Sequence, residues 1–130
     1  MIEMNLENFT IKAQESVQKA LTIAGGKGHQ AIEPGHLLKG IMTEAESIVS
    51  YIMSKGGVNT VSFTKALDTI IDSYPRVSGG EPYFSSDCSS VFRRAADFAA
   101  RMQDRFVSVE HILLALAGAG ERTASLMKEH

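Results

Sequence analysis

Histidine is the side chain in this 130-residue sequence best suited to acid–base or metal chemistry, and it occurs four times, as His29, His36, His111 and His130. Their spacing supports neither use. No HExxH pair is present, and Glu110 and His111 are neighbours, which on a helix points them about 100° apart. His36 and His111 each lead a short apolar run. That duplicated placement points to a structural part, a ring nitrogen tied to a backbone carbonyl. The run Gly25-Gly26-Lys27-Gly28 lacks the leading glycine and the Ser/Thr after lysine that a phosphate loop needs, and it reads as a helix terminator. The lone cysteine, Cys88, falls on an apolar stripe and reads as a small buried hydrophobe. An enzyme built on His36 or His111 would have no nucleophile, second acid or cofactor motif beside either ring. The expectation is a non-catalytic chain with no metal or cofactor of its own.

Nothing global draws the chain to nucleic acid or to an acidic membrane, since the net charge is −2 and the isoelectric point about 6.1. Arg94, Arg101 and Arg105 share one face, but Asp97 and Asp104 interrupt them and no aromatic residues interleave, so a solvated face is expected. The first ten residues carry Glu3 and Glu7 and show no apolar signal core. The longest apolar stretch, Ile112–Ala117, is too short to span a bilayer. A single cysteine forms no intrachain disulfide and suits a reducing compartment. These features predict a soluble, cytoplasmic domain that contacts neither nucleic acid nor membrane.

The elements that carry these residues are helical. Ala13, Val17, Ala20, Leu21 and Ala24 form one stripe, opened by Thr10 as N-cap and closed by Gly25-Gly26. A short helix begins near Pro34 and carries Leu37, Leu38 and Ile41. A third covers Ala45–Lys55, with Ile48, Val49 and Ile52 inward, and ends at Gly56-Gly57. A fourth carries Phe63, Ala66, Leu67, Ile70, Ile71 and Tyr74, stopped by Pro75. After a loop over 75–83, Ser85 or Ser86 caps a stripe of Cys88, Phe92, Ala95, Ala96 and Ala99. Ser108 opens a short helix through Ile112, Leu113 and Leu116, and a last helix covers Glu121–Glu129. No segment alternates long enough to predict a strand, so the fold class is all-α.

A repeat lies within this order. At an offset of 75, Thr10–Ile41 overlies Ser85–Leu116 without a gap. Ala20 meets Ala95, Ala24 meets Ala99, His36 meets His111 and Leu38 meets Leu113. More telling than identities is the shared order of cap, stripe, turn and short helix. Two such units about a pseudo-twofold axis bury the apolar face each leaves open. Repeat one is placed at about 8–74 and repeat two at about 84–130, within one domain spanning 1–130.

Three stretches carry a resemblance: Asn8-Phe-Thr-Ile-Lys-Ala-Gln-Glu15, Gly28-His-Gln-Ala-Ile-Glu-Pro-Gly-His-Leu-Leu38 and Asp104-Arg-Phe-Val-Ser-Val-Glu-His-Ile-Leu-Leu-Ala-Leu116. Together they closely resemble the N-terminal repeat domain of the Clp family of ATP-driven chaperones. The likeness runs from about Asn5 to the chain's end, and the stretch before Glu110 sets it nearest the ClpB disaggregase type. It implies two four-helix repeats ahead of ATPase modules that use ATP and magnesium and assemble as a homo-hexamer, the domain by itself being a monomer. Repeat two stops at His130 without a counterpart of the Phe63–Tyr74 helix. Either the domain is cut short there or the chain is a divergent short homologue.

The resemblance further implies that the chain captures unfolded or aggregated polypeptides weakly, with docking of a folded adaptor, as in ClpC or ClpA types, as the alternative. Carried over motif by motif, it assigns substrate handling to Thr10, Asp104 and Glu110. Each also has an ordinary structural reading, as an N-cap, a turn residue and a first-turn acid. The implied apolar groove is placed at Phe98, Phe106 and Val109, which lie off or at the edge of the inward stripes, with core packing as the competing reading.

Overall fold

A computed structural model describes residues 6–77, 80–118 and 127. Six helices are described: α1 (Ile11–Gly26), α2 (Pro34–Glu44), α3 (Glu46–Gly56), α4 (Thr60–Asp72), α5 (Ser86–Arg101) and α6 (Val109–Ala117). The expected last helix lies outside the described residues apart from Met127, which is helical and packs half-buried against the core. The chain is all-α in class.

Each repeat starts in the same way because its cap has the same chemistry. Thr10 Oγ1 accepts the Ala13 N–H at 3.2 Å, and Ser85 Oγ accepts the Cys88 N–H at 3.1 Å. Helix α1 ends at Gly26, the second residue of the expected glycine pair, and in both long helices a residue of left-handed backbone follows the C-cap. In α1 this is Gly28 (φ 73°), where a glycine has no Cβ to clash, and in α5 it is Gln103 (φ 59°), its partner at the offset of 75. Beyond these residues, His29 N–H returns to Ala24 O at 2.9 Å and Asp104 N–H to Ala99 O at 2.8 Å.

Two short strands also form, where none was expected. β1 (Ala31–Ile32) pairs in parallel with β2 (Tyr83–Phe84), and a single parallel bridge joins Phe9 to Val107. The offset converts one pairing into the other: Phe9 corresponds to Phe84 and Val107 to Ile32. Thr10 N–H donates to Val107 O at 2.9 Å, and its counterpart Ser85 N–H donates to Ile32 O at 3.0 Å. Each repeat's entry segment therefore satisfies the backbone of the other repeat's interhelical connector. These crossings are too short for an alternating pattern to show in sequence.

The core lies between α1, α2 and α5, with α4 and α6 closing it. Phe9 and Phe84 both meet Phe92 edge-on, with centroids 5.8 and 5.2 Å away. Two inward stripes differ from expectation. In α3, Val49 and Met53 are buried while Ile52 faces out, because the helix offers the core only one narrow i, i+4 edge. In α5, Val91 joins Cys88, Phe92, Ala95 and Ala99 inside, and Ala96 is exposed.

Helices α1 and α2 cross where Gly40 meets Ser16 and Ala20. A Cβ on Gly40 would stand 2.5 Å from Ser16 O and 3.0 Å from Ala20 N, both backbone atoms that cannot swing aside. Gly40→Ala is therefore expected to lower stability by about 1–3 kcal/mol through forced separation of the two helices. Urea denaturation of wild type and variant checks this, and an unchanged midpoint would show that the crossing can relax.

Candidate functional site

The two conserved-offset histidines sit at the third position of α2 and α6, where a ring can reach back over the helix start. His36 Nδ1 accepts the Glu33 N–H at 2.9 Å, and His111 Nδ1 accepts the Ser108 N–H at 2.9 Å. The ring thus plays the part that Glu or Gln takes in a capping box. The bonded backbone group is an N–H, not the carbonyl expected from sequence. With Nδ1 accepting, the neutral ring carries its proton on Nε2. His36 Nε2 lies 2.8 Å from His29 Nδ1, and His111 Nε2 lies 2.9 Å from Asp104 Oδ2. His29 and Asp104 are themselves partners at the offset of 75, so one architecture is completed by two different side chains.

Asp104 is accordingly more than a turn residue: it orients a buried histidine while its own side chain stays half exposed. Glu110 is exposed in the first turn of α6, where the helix dipole favours a negative charge. Val109 is 1% exposed. The connector is extended through Ser108 (φ −103°, ψ 172°), so Val107 and Val109 point to the same side, and both enter the core. Val109 is thereby removed from the groove residues expected from sequence.

Thr10 and Phe106 come together. They line a cavity of about 330 Å³ with Glu7, Phe9, Ile11 and Gln14. The Phe9–Val107 bridge causes this, since it lays the start of α1 beside the residue preceding Val107. Ile11 is 75% exposed and Phe106 46%. Gln14 Nε2 donates to Phe9 O at 3.0 Å, and the Arg105 guanidinium stands 6.0 Å from the Phe106 ring centre. Phe98 is not part of this cavity. It is half-buried and lines a separate cleft of about 160 Å³ with Arg94, Asp97 and Arg101. Asp104 and Glu110 line neither.

Ile11 and Gln14 were missed from sequence. The available signal was an isoleucine directly after the helix cap and off the alanine stripe. The offset shows how unequal the two ends of the molecule are: Ile11 corresponds to Ser86, Gln14 to Ser89 and Phe106 to Ala31. One junction thus exposes Ile11 and Phe106 where its twin has Ser86 and Ala31, while the twin exposes Tyr83 and Val77 around a different cavity. A further apolar cavity of about 220 Å³ lies among Leu38, Val49, Ile52, Met53, Phe63 and Leu113. Among the described residues, no three His, Cys, Asp or Glu side chains group as metal ligands, and no helix is long and apolar enough to cross a membrane.

A duplicated helical domain, with its polar chemistry joining two repeats and a cavity lined by apolar side chains beside the Phe9–Val107 crossing, is the class that this geometry defines. The sequence matches the Clp repeat (R) N-terminal domain over residues 8–130, and the chain belongs to that family. Its relatives include the chaperone protein ClpB of Porphyromonas gingivalis, 44% identical over 126 residues, which are 97% of this chain and 15% of that protein. ClpB of Bacteroides thetaiotaomicron is 43% identical over 126 residues, with the same coverage. The chain thus spans about 15% of the length of these relatives. Among solved structures, the Hsp104 N-terminal domain from Candida albicans superposes with a TM-score of 0.85 at 20% identity, covering 95% of this chain and 81% of that one. A ClpV N-domain in complex with a VipB peptide superposes at 0.76 and 16% identity, covering 98% and 84%. At such identities the likeness establishes the fold.

Removing the His111 ring by His111→Ala abolishes the bonds to Ser108 and Asp104 and is expected to cost roughly 2–3 kcal/mol, whereas Glu110→Ala is expected to change stability by less than about 0.5 kcal/mol. Chemical denaturation distinguishes them. A loss at Glu110 as large as that at His111 would make Glu110 a folding residue.

Proposed function

We propose that this chain is the non-catalytic, client-capturing N-terminal domain of a ClpB-type ATP-driven disaggregase. In this reading it takes up exposed segments of unfolded or aggregated polypeptides in the cytoplasm and passes them to a hexameric ATPase ring. The observation that carries the reading is the broken symmetry of the two repeat junctions. Packing of the repeats alone requires only what both junctions share, the caps and the backbone crossings. The exposed Ile11 and Phe106 beside Thr10 are additional, and exposed apolar groups around a cavity mark a contact surface.

The magnitudes suit capture followed by release. Burying a client side chain against such a surface yields about 1.5–3 kcal/mol, from which ordering and association costs are subtracted. A site admitting one or two side chains therefore binds weakly, and several domains around a ring would raise retention through multivalency. Asp104 and Glu110 lie two residues before and four residues after Phe106, and both are exposed. Their charge favours clients with basic residues beside apolar ones. Phe98, in the cleft bordered by Arg94 and Arg101, is a secondary apolar contact. The peptide held by the ClpV N-domain on the same fold supports peptide binding as a use of this scaffold.

Copying the twin junction into the cavity tests the proposal. The double variant Ile11→Ser, Phe106→Ala is expected to keep wild-type helicity and to weaken binding of an unfolded model protein about thirtyfold, at about 1 kcal/mol per apolar side chain. Unchanged affinity in a folded double variant would reject the cavity as the capture site. A stoichiometric complex with one folded adaptor, with no affinity for unfolded chains, would replace the capture reading by adaptor docking.

A further inference from the structure

The corner where α1 ends, α2 begins and α4 ends holds a buried cluster that capture does not use. His29 and His36 are 4% and 0% exposed, and their rings lie 5.0 Å apart. Tyr74, just beyond α4, packs on both rings at 5.8 and 5.0 Å, and its hydroxyl accepts the Gly35 N–H at 3.2 Å. The three aromatic side chains therefore tie three elements of repeat one at a single point.

The proton inventory of this pair leaves no room for an added charge. His36 Nδ1 is occupied by the Glu33 N–H, so its Nε2–H donates to His29 Nδ1. His29 then carries its own proton on Nε2. Both remaining basic lone pairs are already accepting hydrogen bonds inside the protein. A proton placed on His29 Nδ1 faces the His36 N–H, and one placed on His36 Nδ1 faces a backbone N–H. Either addition breaks a bond of the corner.

We propose that the His29–His36 pair is an acid-operated latch: protonation releases α2 and α4 from the end of α1 and opens repeat one, while repeat two holds.

The charged surroundings favour the neutral pair. Lys27 lies at the end of α1 and Arg76 beyond α4. Asp72, at the end of α4, is held by Lys27 Nζ at 2.9 Å, and Glu33 caps α2 through its backbone. Burial foremost, then His29 and Lys27, depress His36 to about 4. His29 is also lowered, by burial and then by Arg76 and Lys27, with Asp72 acting the other way. In the unfolded chain both rings take up protons near the ordinary value of about 6.5. The stability contributed by the neutral pair is therefore full above about pH 6.5 and falls as the pH drops from there toward 4.

Repeat two contains the contrasting arrangement. His111 keeps the Nδ1 bond, but its partner is the Asp104 carboxylate, which offsets an imidazolium charge. The Ser108 hydroxyl, 3.0 Å from Nδ1, is available to accept a proton there. Repeat two thus pairs its capping imidazole with a carboxylate where repeat one pairs it with a second imidazole.

Amide hydrogen exchange on the full chain, corrected for intrinsic rates, tests this at about pH 7 and about pH 4.5. Exchange in 27–36 and 69–74 is expected to rise about tenfold or more relative to 104–112 on acidification. His29→Asp, which copies the carboxylate–imidazole pair of repeat two, is expected to remove that differential. His29→Asn, which retains an acceptor without titrating, is expected to reduce it, and decides the matter if the Asp variant does not fold. Ring NMR titration should show His36 far below its ordinary value in the wild type and raised in His29→Asp. Equal opening of both repeats, a His36 that titrates near 6.5, or an acid response unmoved in the folded variants would each overturn the proposal.

Discussion

Two backbone crossings hold this protein to its shape. Where Phe9 meets Val107 and Ile32 meets Phe84, the segment leading into a long helix of one repeat lies along the interhelical connector of the other. A connector between two packed helices is half-buried, and its amide and carbonyl groups require partners when water is excluded. Each repeat serves the two ends of its own connector, as with His29 N–H to Ala24 O and Glu33 N–H to His36 Nδ1, and the other repeat serves the middle. The exchange makes the two repeats one cooperative body, and it fixes the pseudo-twofold axis, since each pairing converts into the other at the offset of 75. Phe92 packs against the aromatic residue of each crossing and joins the two on the apolar side.

Around this frame, the histidines at the third helical positions solve a local problem. A short helix that begins inside a protein has donors with no intrahelical acceptor. An imidazole covers one of them with Nδ1 and leaves Nε2–H as a second donor that must itself be matched. Repeat one matches it with another imidazole and repeat two with a carboxylate. The duplicated histidine is thus a consequence of capping geometry, while its partner is free to diverge. That freedom makes the electrostatics of the two halves unequal although their backbones correspond.

The same divergence shapes the surface. At one junction, Ile11 and Phe106 stay exposed beside Thr10. At the other, Ser86 and Ala31 take their places. Caps and crossings serve the fold and recur in kind, whereas the close approach of α2 to α1 at Gly40 belongs to repeat one, its counterpart being Ala115. Exposed apolar groups have no such duty, and the two junctions carry different ones, Ile11 and Phe106 at one and Tyr83 and Val77 at the other.

The order of helices, the caps at Thr10, Ser85 and Ser108, and the duplicated helix pair were legible from the residues because they are local: a 3.6-residue period and a hydroxyl before it suffice. The crossings were not, because two-residue strands have no period and their partners lie some fifty to a hundred residues away in the chain. The choice of Met53 over Ile52 and of Val91 over Ala96 depended on which edge of a helix met its neighbour. Of the candidate site residues, Thr10 and Phe106 were drawn together only by the bridge at Phe9, Ile11 was added by exposure, and Val109 was taken into the core by the extended turn at Ser108. Sequence by itself determined which segments are helices and which faces are apolar, since those follow from covalent neighbours. Tertiary structure alone decided which imidazole meets which partner and where apolar surface remains uncovered, because both depend on groups that only the packing of two repeats brings within hydrogen-bonding or van der Waals reach.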